Sequence, residues 1–173
     1  KTFRLMKRVG ILGDIGSCKS YVSKKFGYPI FNADIEVTKL YRKNKKIFNR
    51  LRKVLPKYFF EFPIDKDQVS KAILANDKNL KKIIKIVHLE IKKKLNSFLK
   101  KNNTKKIVIL DIPLLLENKI NKKNDVLVFV ESNKSEIIKR LKKRKNYNQK
   151  LLRKFRKIQF SPDFKKRRSQ FII

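Results

Sequence analysis

The sequence predicts an α/β fold, a parallel sheet covered by helices, on three observations. Short apolar runs that suit strands alternate with segments of helical periodicity. Two of those runs, Lys106–Asp111 (Lys-Ile-Val-Ile-Leu-Asp) and Asp125–Val130 (Asp-Val-Leu-Val-Phe-Val), are apolar throughout between their ends, as strands buried on both faces are. All four glycines, Gly10, Gly13, Gly16 and Gly27, fall within the first 27 residues. A chain so sparing with glycine uses it where backbone bends tightly or meets a ligand, here directly after the first strand.

Arg8–Leu12 is the first expected strand, followed by a glycine-bearing loop and a helix over Lys19–Phe26. Pro29-Ile30-Phe31 is a second short strand, ending at Asn32-Ala33-Asp34, where Asp34 is placed to cap a helix reaching Tyr41. Residues 44–60 are expected to be helical with an aromatic end, and Asp67–Leu74 to form another short helix. The longest helix runs from Lys78 to Lys101. Its apolar stripe is Leu80, Ile84, Val87, Ile91, Leu95 and Phe98, spaced by threes and fours, with lysines opposite. After the two continuous strands, helices are expected over Ser135–Lys145 and Gln149–Ile158, and Phe171-Ile172-Ile173 starts a further strand. Residues 35–104 thus form a long helical insertion, a natural place for substrate binding. No repeat and no linker divides the chain.

Composition narrows the function. At 173 residues and 41% hydrophobic the chain suits one domain with a continuous core. No apolar run reaches membrane-spanning length. Lys1–Arg8 is too short and too charged for a signal peptide, and the single Cys18 forms no internal disulfide. A soluble, cytoplasmic protein without a membrane partner is expected. The net charge is +34, from 48 Lys+Arg against 14 Asp+Glu, which attracts polyanions. Yet the bases are scattered, and lysines outnumber arginines 37 to 11. Groove and phosphate readers favour the planar arginine fork, so a solvated basic surface is preferred over dedicated nucleic-acid binding.

Gly13-Asp14-Ile15-Gly16-Ser17-Cys18-Lys19-Ser20 nearly matches the phosphate-loop pattern G-x-x-x-x-G-K-[ST], between a strand and a helix as that pattern requires. Cys18 occupies the second glycine. Backbone N–H groups can wrap phosphate oxygens, Lys19 can neutralise β/γ charge and Ser20 can ligate Mg²⁺. The alternative is a strand-to-helix turn with a capping serine and a surface lysine. Because Cys18 opens the helix, ordinary helical φ/ψ is expected there, with somewhat weakened ATP affinity. Its place beside Lys19 also makes it a candidate reactive thiol. Asp14 adds negative charge unless it faces away or meets a base. Asp34, after the second strand, is either a helix cap or a group that accepts a hydroxyl proton. Asp111, closing an apolar strand, is either a turn acid before Pro113 or the Walker-B acid that organises Mg²⁺, possibly through water. His88, alone in mid-helix, is more often packed than liganded, and one histidine with one distant cysteine gives no zinc site.

In order and spacing these pieces resemble the dephospho-coenzyme A kinase family, over nearly the whole chain. The family's G-G-I-G-S-G-K-S is similar to Gly13–Ser20, with Asp14 and Cys18 in place of glycines. Its D-A-D resembles Asn32-Ala33-Asp34, its I-F-A-N-P resembles Ile73–Asp77, and its histidine-proline pair resembles His88-Leu89. P-L-L-[FL]-E stands intact as Pro113–Glu117. The Q-x-x-R-x-x-x-R helix is similar to Ile137–Arg144, with Arg140 and Arg144 in place. Gln159 and Lys165 resemble a lid glutamine and a basic position beyond it. Family members continue through an Asp-Asn pair and a last helix, whereas this sequence stops at Ile173.

The resemblance implies a phosphate-loop kinase fold in a single domain. Its core would be 8–34, 105–131 and 169–173, its helical coenzyme A-binding insertion about 35–104, and its helical lid about 135–168. It implies ATP and Mg²⁺, with dephospho-coenzyme A phosphorylated at the ribose 3′-hydroxyl by a monomer without a specific nucleic-acid partner. Asp34 and Lys19 would be catalytic. Gly13, Asp14, Ile15, Gly16, Ser17, Cys18, Lys19, Ser20, Tyr21, Arg140 and Arg144 would bind ATP. Asp34, His88, Pro113, Leu114 and Glu117 would bind the acceptor, and Ser20 and Asp111 the metal. Two alternatives stay open: another small-molecule acceptor such as a nucleoside or nucleotide, and a nucleic-acid binder on a degenerate kinase scaffold.

Overall fold

The computed structural model describes residues 6–145 and 147–173, so most of the Lys1–Arg8 segment lies outside the described residues. Five strands form one sheet in the order β2-β3-β1-β4-β5. They are β1 (Lys7–Gly13), β2 (Ile30–Asn32), β3 (Ile107–Asp111), β4 (Val126–Val130) and β5 (Phe171–Ile172), and every pairing is parallel. Parallel neighbours need crossovers, supplied here by helices. The expected strands are all present, displaced by a residue or two at their ends.

By backbone contacts the chain divides into two compact units: Lys1–Asn32, Phe98–Asn148 and Arg156–Ile173 in one, Ala33–Ser97 and Gln149–Phe155 in the other. The first holds the sheet. Val9, Ile11, Ile109, Val128 and Val130 form a buried cluster on one face, against which Val22 and Phe26 pack from α1 (Lys19–Lys25) and its C-cap. Each such fully buried aliphatic side chain contributes about 1.5–3 kcal/mol. The register pairs Gly13 with Val130 and Asn32 with Asp111, so four strands finish together at one edge of the sheet. Because β1 has β3 on one side and β4 on the other, that edge at β1 is where a crevice for ligands opens.

A buried ion pair ties the start of this sheet together. Arg8 Nη2 lies 3.0 Å from Asp125 Oδ2, with side chains only 9% and 3% exposed. Arg8 also donates to the Ile120 carbonyl at 3.0 Å, and Lys122 N–H donates to Asp125 at 2.9 Å. Burial pushes the Asp125 carboxyl above its ordinary pKa, against the pull of the Lys122 N–H and Arg8. Removing one partner strands the other charge. Asp125→Ala is therefore expected to cost about 3–5 kcal/mol, read as a lowered denaturant midpoint with an unchanged m-value.

The second unit is helical. α2 (Ala33–Lys43) packs on α3 (Lys45–Val54), and α4 (Lys66–Ala75) and α5 (Asp77–Lys101) follow. Asn44 caps α3 by accepting from Ile47 N–H at 3.1 Å, and Asp65 caps α4 by accepting from Gln68 N–H at 2.7 Å. The helix expected over 44–60 stops at Val54 because Pro56 disfavours helical backbone at Leu55, whose φ is −138°. The buried stripe of α5 runs through Leu80, Ile83, Val87, Ile91 and Leu95, so Ile83 takes the place expected of Ile84. Asp34 lies inside the first turn of α2 rather than capping it, where a carboxylate still favours the positive helix end.

In the first unit α6 (Lys134–Lys142) appears as expected, and α7 (Gln149–Lys157) begins in the second. The short α8 (Pro162–Arg167) is an addition, absent from the sequence reading. Its N-cap Ser161 accepts from Phe164 N–H at 3.2 Å and Pro162 stands at N1. Among the described residues no helix is long and apolar enough to cross a membrane.

Candidate active site

The loop from Gly13 to Lys19 leaves the central strand through three positive φ angles: 152° at Gly13, 93° at Gly16 and 65° at Cys18. Gly13 is required twice over. A Cβ there would stand 2.9 Å from the Val130 carbonyl oxygen and 2.5 Å from Ser17 Oγ. The turn is held by Ser17 N–H donating to the Asp14 carbonyl at 3.2 Å. Among the described residues the N–H groups of Gly16, Cys18 and Ser20 have no acceptor, as expected at the head of a helix. Such N–H groups together with the helix dipole favour an anion.

Cys18 corrects one expectation. It is the N-cap of α1 with φ 65° and ψ 26°, left-handed rather than helical, and its side chain makes no cap hydrogen bond. A left-handed conformation costs a non-glycine residue about 1–2 kcal/mol, and glycine loses part of that gain through its freer unfolded chain. Cys18→Gly is expected to stabilise the protein by about 0.5–1 kcal/mol, measured by thermal or denaturant unfolding. The exposed thiol is open to alkylation, and Mg-ATP should protect it.

Lys19 folds back over the loop mouth, its Nζ 2.7 Å from the Asp14 carbonyl and 3.4 Å from that of Gly13. Asp14 meets a base: its Oδ2 lies 3.4 Å from Arg156 Nη2, while its Oδ1 accepts from Ile15 N–H at 2.6 Å. Across the strand ends, one carboxylate oxygen gathers two donors. Asp111 Oδ2 accepts from Ser20 Oγ at 2.5 Å and from Asn32 Nδ2 at 2.6 Å, with Asp111 3% exposed. A hydroxyl and a carboxylate meeting at the head of α1 supply the hard oxygen donors that Mg²⁺ takes beside substrate phosphates.

A cavity of about 390 Å³ opens beside the loop in the first unit, with Gly13, Asp14, Lys134, Arg156, Phe160 and Lys165 in its wall. A phosphate loop on the central parallel strand, an acid closing the next strand and a basic cavity at the loop mouth together suit phosphoryl transfer. The dephospho-CoA kinase family model matches residues 7–173. The chain belongs to that family. A relative from Wolbachia pipientis wMel, described as a dephospho-CoA kinase, is 34% identical over 170 residues, spanning 95% of this chain and 87% of that one. Among solved structures, TT1252 from Thermus thermophilus shares the fold with a TM-score of 0.77 at 23% identity, over 97% of this chain and 87% of the other. A dephospho-CoA kinase from Campylobacter jejuni aligns with a TM-score of 0.61 at 18% identity, over 96% and 86%. Both confirm the parallel-sheet fold.

The expected site residues are divided between the two units. Gly13–Tyr21, Asp111, Pro113, Leu114, Glu117, Arg140 and Arg144 belong to the first unit, Asp34 and His88 to the second. Arg140 Nη1 is 3.4 Å from Ser132 Oγ, which in turn donates to the Ser17 carbonyl at 3.4 Å, linking α6 to the loop. Arg144 is exposed beyond the end of α6. Lys134, Arg156 and Lys165, rather than either expected arginine, line the cavity. Nothing in a lysine-rich run singles out Arg156, so sequence reasoning missed it. His88 is partly buried on α5, and burial together with Lys92 holds its imidazole below the ordinary pKa.

Proposed function

We propose that this chain transfers the γ-phosphoryl group of ATP to the ribose 3′-hydroxyl of dephospho-coenzyme A, giving coenzyme A and ADP. The observation that carries it is the Gly13–Ser20 loop, with N–H groups open for phosphate and Lys19 across its mouth, in a chain of this family. The loop seats the phosphates and α1 directs its positive end at them. Lys19 exchanges the Asp14 and Gly13 carbonyls for β/γ oxygens and holds the charge that grows there during transfer. Asp34 accepts the proton of the attacking hydroxyl. Arg140 and Arg144 close over the phosphates and exclude water that would hydrolyse ATP.

Ser20 and Asp111 fit Mg²⁺ and would hold it. Bound there, the ion would neutralise charge on the β/γ oxygens. The insertion of about 35–104 would bind the coenzyme moiety, with His88, Pro113, Leu114 and Glu117 at the acceptor, and residues of about 135–168 would be the lid. We also assign the reaction to the cytoplasm and the active species to a monomer. Purified protein with Mg-ATP and dephospho-coenzyme A should release coenzyme A and ADP, with nucleosides and nucleoside monophosphates as poor acceptors. Turnover no higher than that of Lys19→Ala would overturn the assignment.

A further inference from the structure

Lys165 stands out among the 48 basic residues of the chain. It sits on the six-residue helix α8, which packs on β1, yet it is 2% exposed. Its Nζ lies 3.0 Å from Glu117 Oε1 and 2.9 Å from Gln159 Oε1. Phe160 N–H donates to the same Glu117 oxygen at 2.8 Å. A purely structural buried pair persists when further hydrogen bonds complete both ions. Here both are incomplete. An ammonium has three N–H donors, and among the described residues only two acceptors meet this one. Glu117 Oε2 is buried without a donor.

The cavity wall that contains Lys165 also contains Gly13 and Asp14, whose carbonyls hold the Lys19 ammonium. In a phosphate loop the main-chain N–H groups take the α/β-phosphates and the lysine reaches the β/γ end. The cavity therefore adjoins the terminal phosphoryl position. A buried, incompletely bonded cation in its wall suits an anionic oxygen there.

We propose that Lys165 is a ligand of the terminal phosphoryl group of the bound nucleotide, and that Glu117 and Gln159 are its positioning residues. The proposal rests on ATP occupying the Gly13–Ser20 loop. Glu117 aims Lys165 while neutralising part of its charge, so the two ends of the pair have opposite effects on nucleotide affinity. Equilibrium binding of ATP and ADP to the full chain separates this from a structural latch. Lys165→Met should weaken ATP at least tenfold and leave ADP within twofold. Lys165→Arg should recover part of the loss. Glu117→Gln should bind ATP at least twofold more tightly than the parent and leave ADP unchanged, and unchanged or weakened ATP binding there would overturn the proposal. Should Lys165→Met fail to fold, the Glu117→Gln result still decides. Equal losses of ATP and ADP in either variant, or no loss in a folded Lys165→Met, would overturn the proposal. Lys19→Ala provides the separate control: if it binds both nucleotides like the parent, the loop assignment fails rather than the role of Lys165 alone.

Discussion

Lys19→Ala is expected to lower kcat/KM for dephospho-coenzyme A phosphorylation by about 10²–10³-fold, the scale seen when one preorganised donor to developing charge is lost. The loss should appear mainly in kcat. The main-chain N–H groups of Gly16, Cys18 and Ser20 still seat a nucleotide without the ammonium, so ground-state binding falls less than the rate. Lys19 is held at the loop mouth by two main-chain carbonyls, 2.7 and 3.4 Å away, which aim it before any ligand arrives. A variant with raised KM and unchanged kcat would contradict this, because the ammonium would then serve ground-state binding alone.

The second large effect is expected at Asp34. Asp34→Ala should reduce kcat by about 10²–10⁴-fold, the range for a lost general base, with ATP affinity nearly unchanged. Asp34→Asn should be almost as damaging, since an amide of the same shape cannot take the proton. Asp34 lies in the first turn of α2, directly after the β2 strand end in sequence. Equilibrium ATP binding measured beside turnover separates this from disruption of the loop. Loss of both together would move Asp34 from proton transfer to support of the fold.

Much of the fold was legible because buried parallel strands leave a continuous apolar signature. β3 and β4 needed no periodicity argument at all. The loop was legible because glycine is so scarce that its clustering stood out. α8 was missed because Pro162–Arg167 is short and dominated by bases, with no apolar stripe. Its Ser161-Pro162-Asp163 start did carry a helix signal, a capping serine followed by proline at N1. Arg8–Asp125 and Lys165–Glu117 join residues far apart in sequence, and a lysine among many lysines gives no sign of burial. Backbone conformation was equally hidden at Cys18. Its position at the head of a helix suggested helical φ/ψ, whereas the turn demands a left-handed residue. Neither the other small-molecule acceptors nor a nucleic-acid role is favoured by the family assignment.

The Asp14 carboxylate is held by Ile15 N–H on one oxygen and by Arg156 on the other. In a chain of net charge +34, small anions of every kind gather at the surface. Neither donor to Asp14 is among the Gly16, Cys18 and Ser20 N–H groups, so a phosphate on these need not break the Asp14 contacts. Asp14 thus offsets part of the positive charge beside the loop while leaving its phosphate-seating N–H groups open.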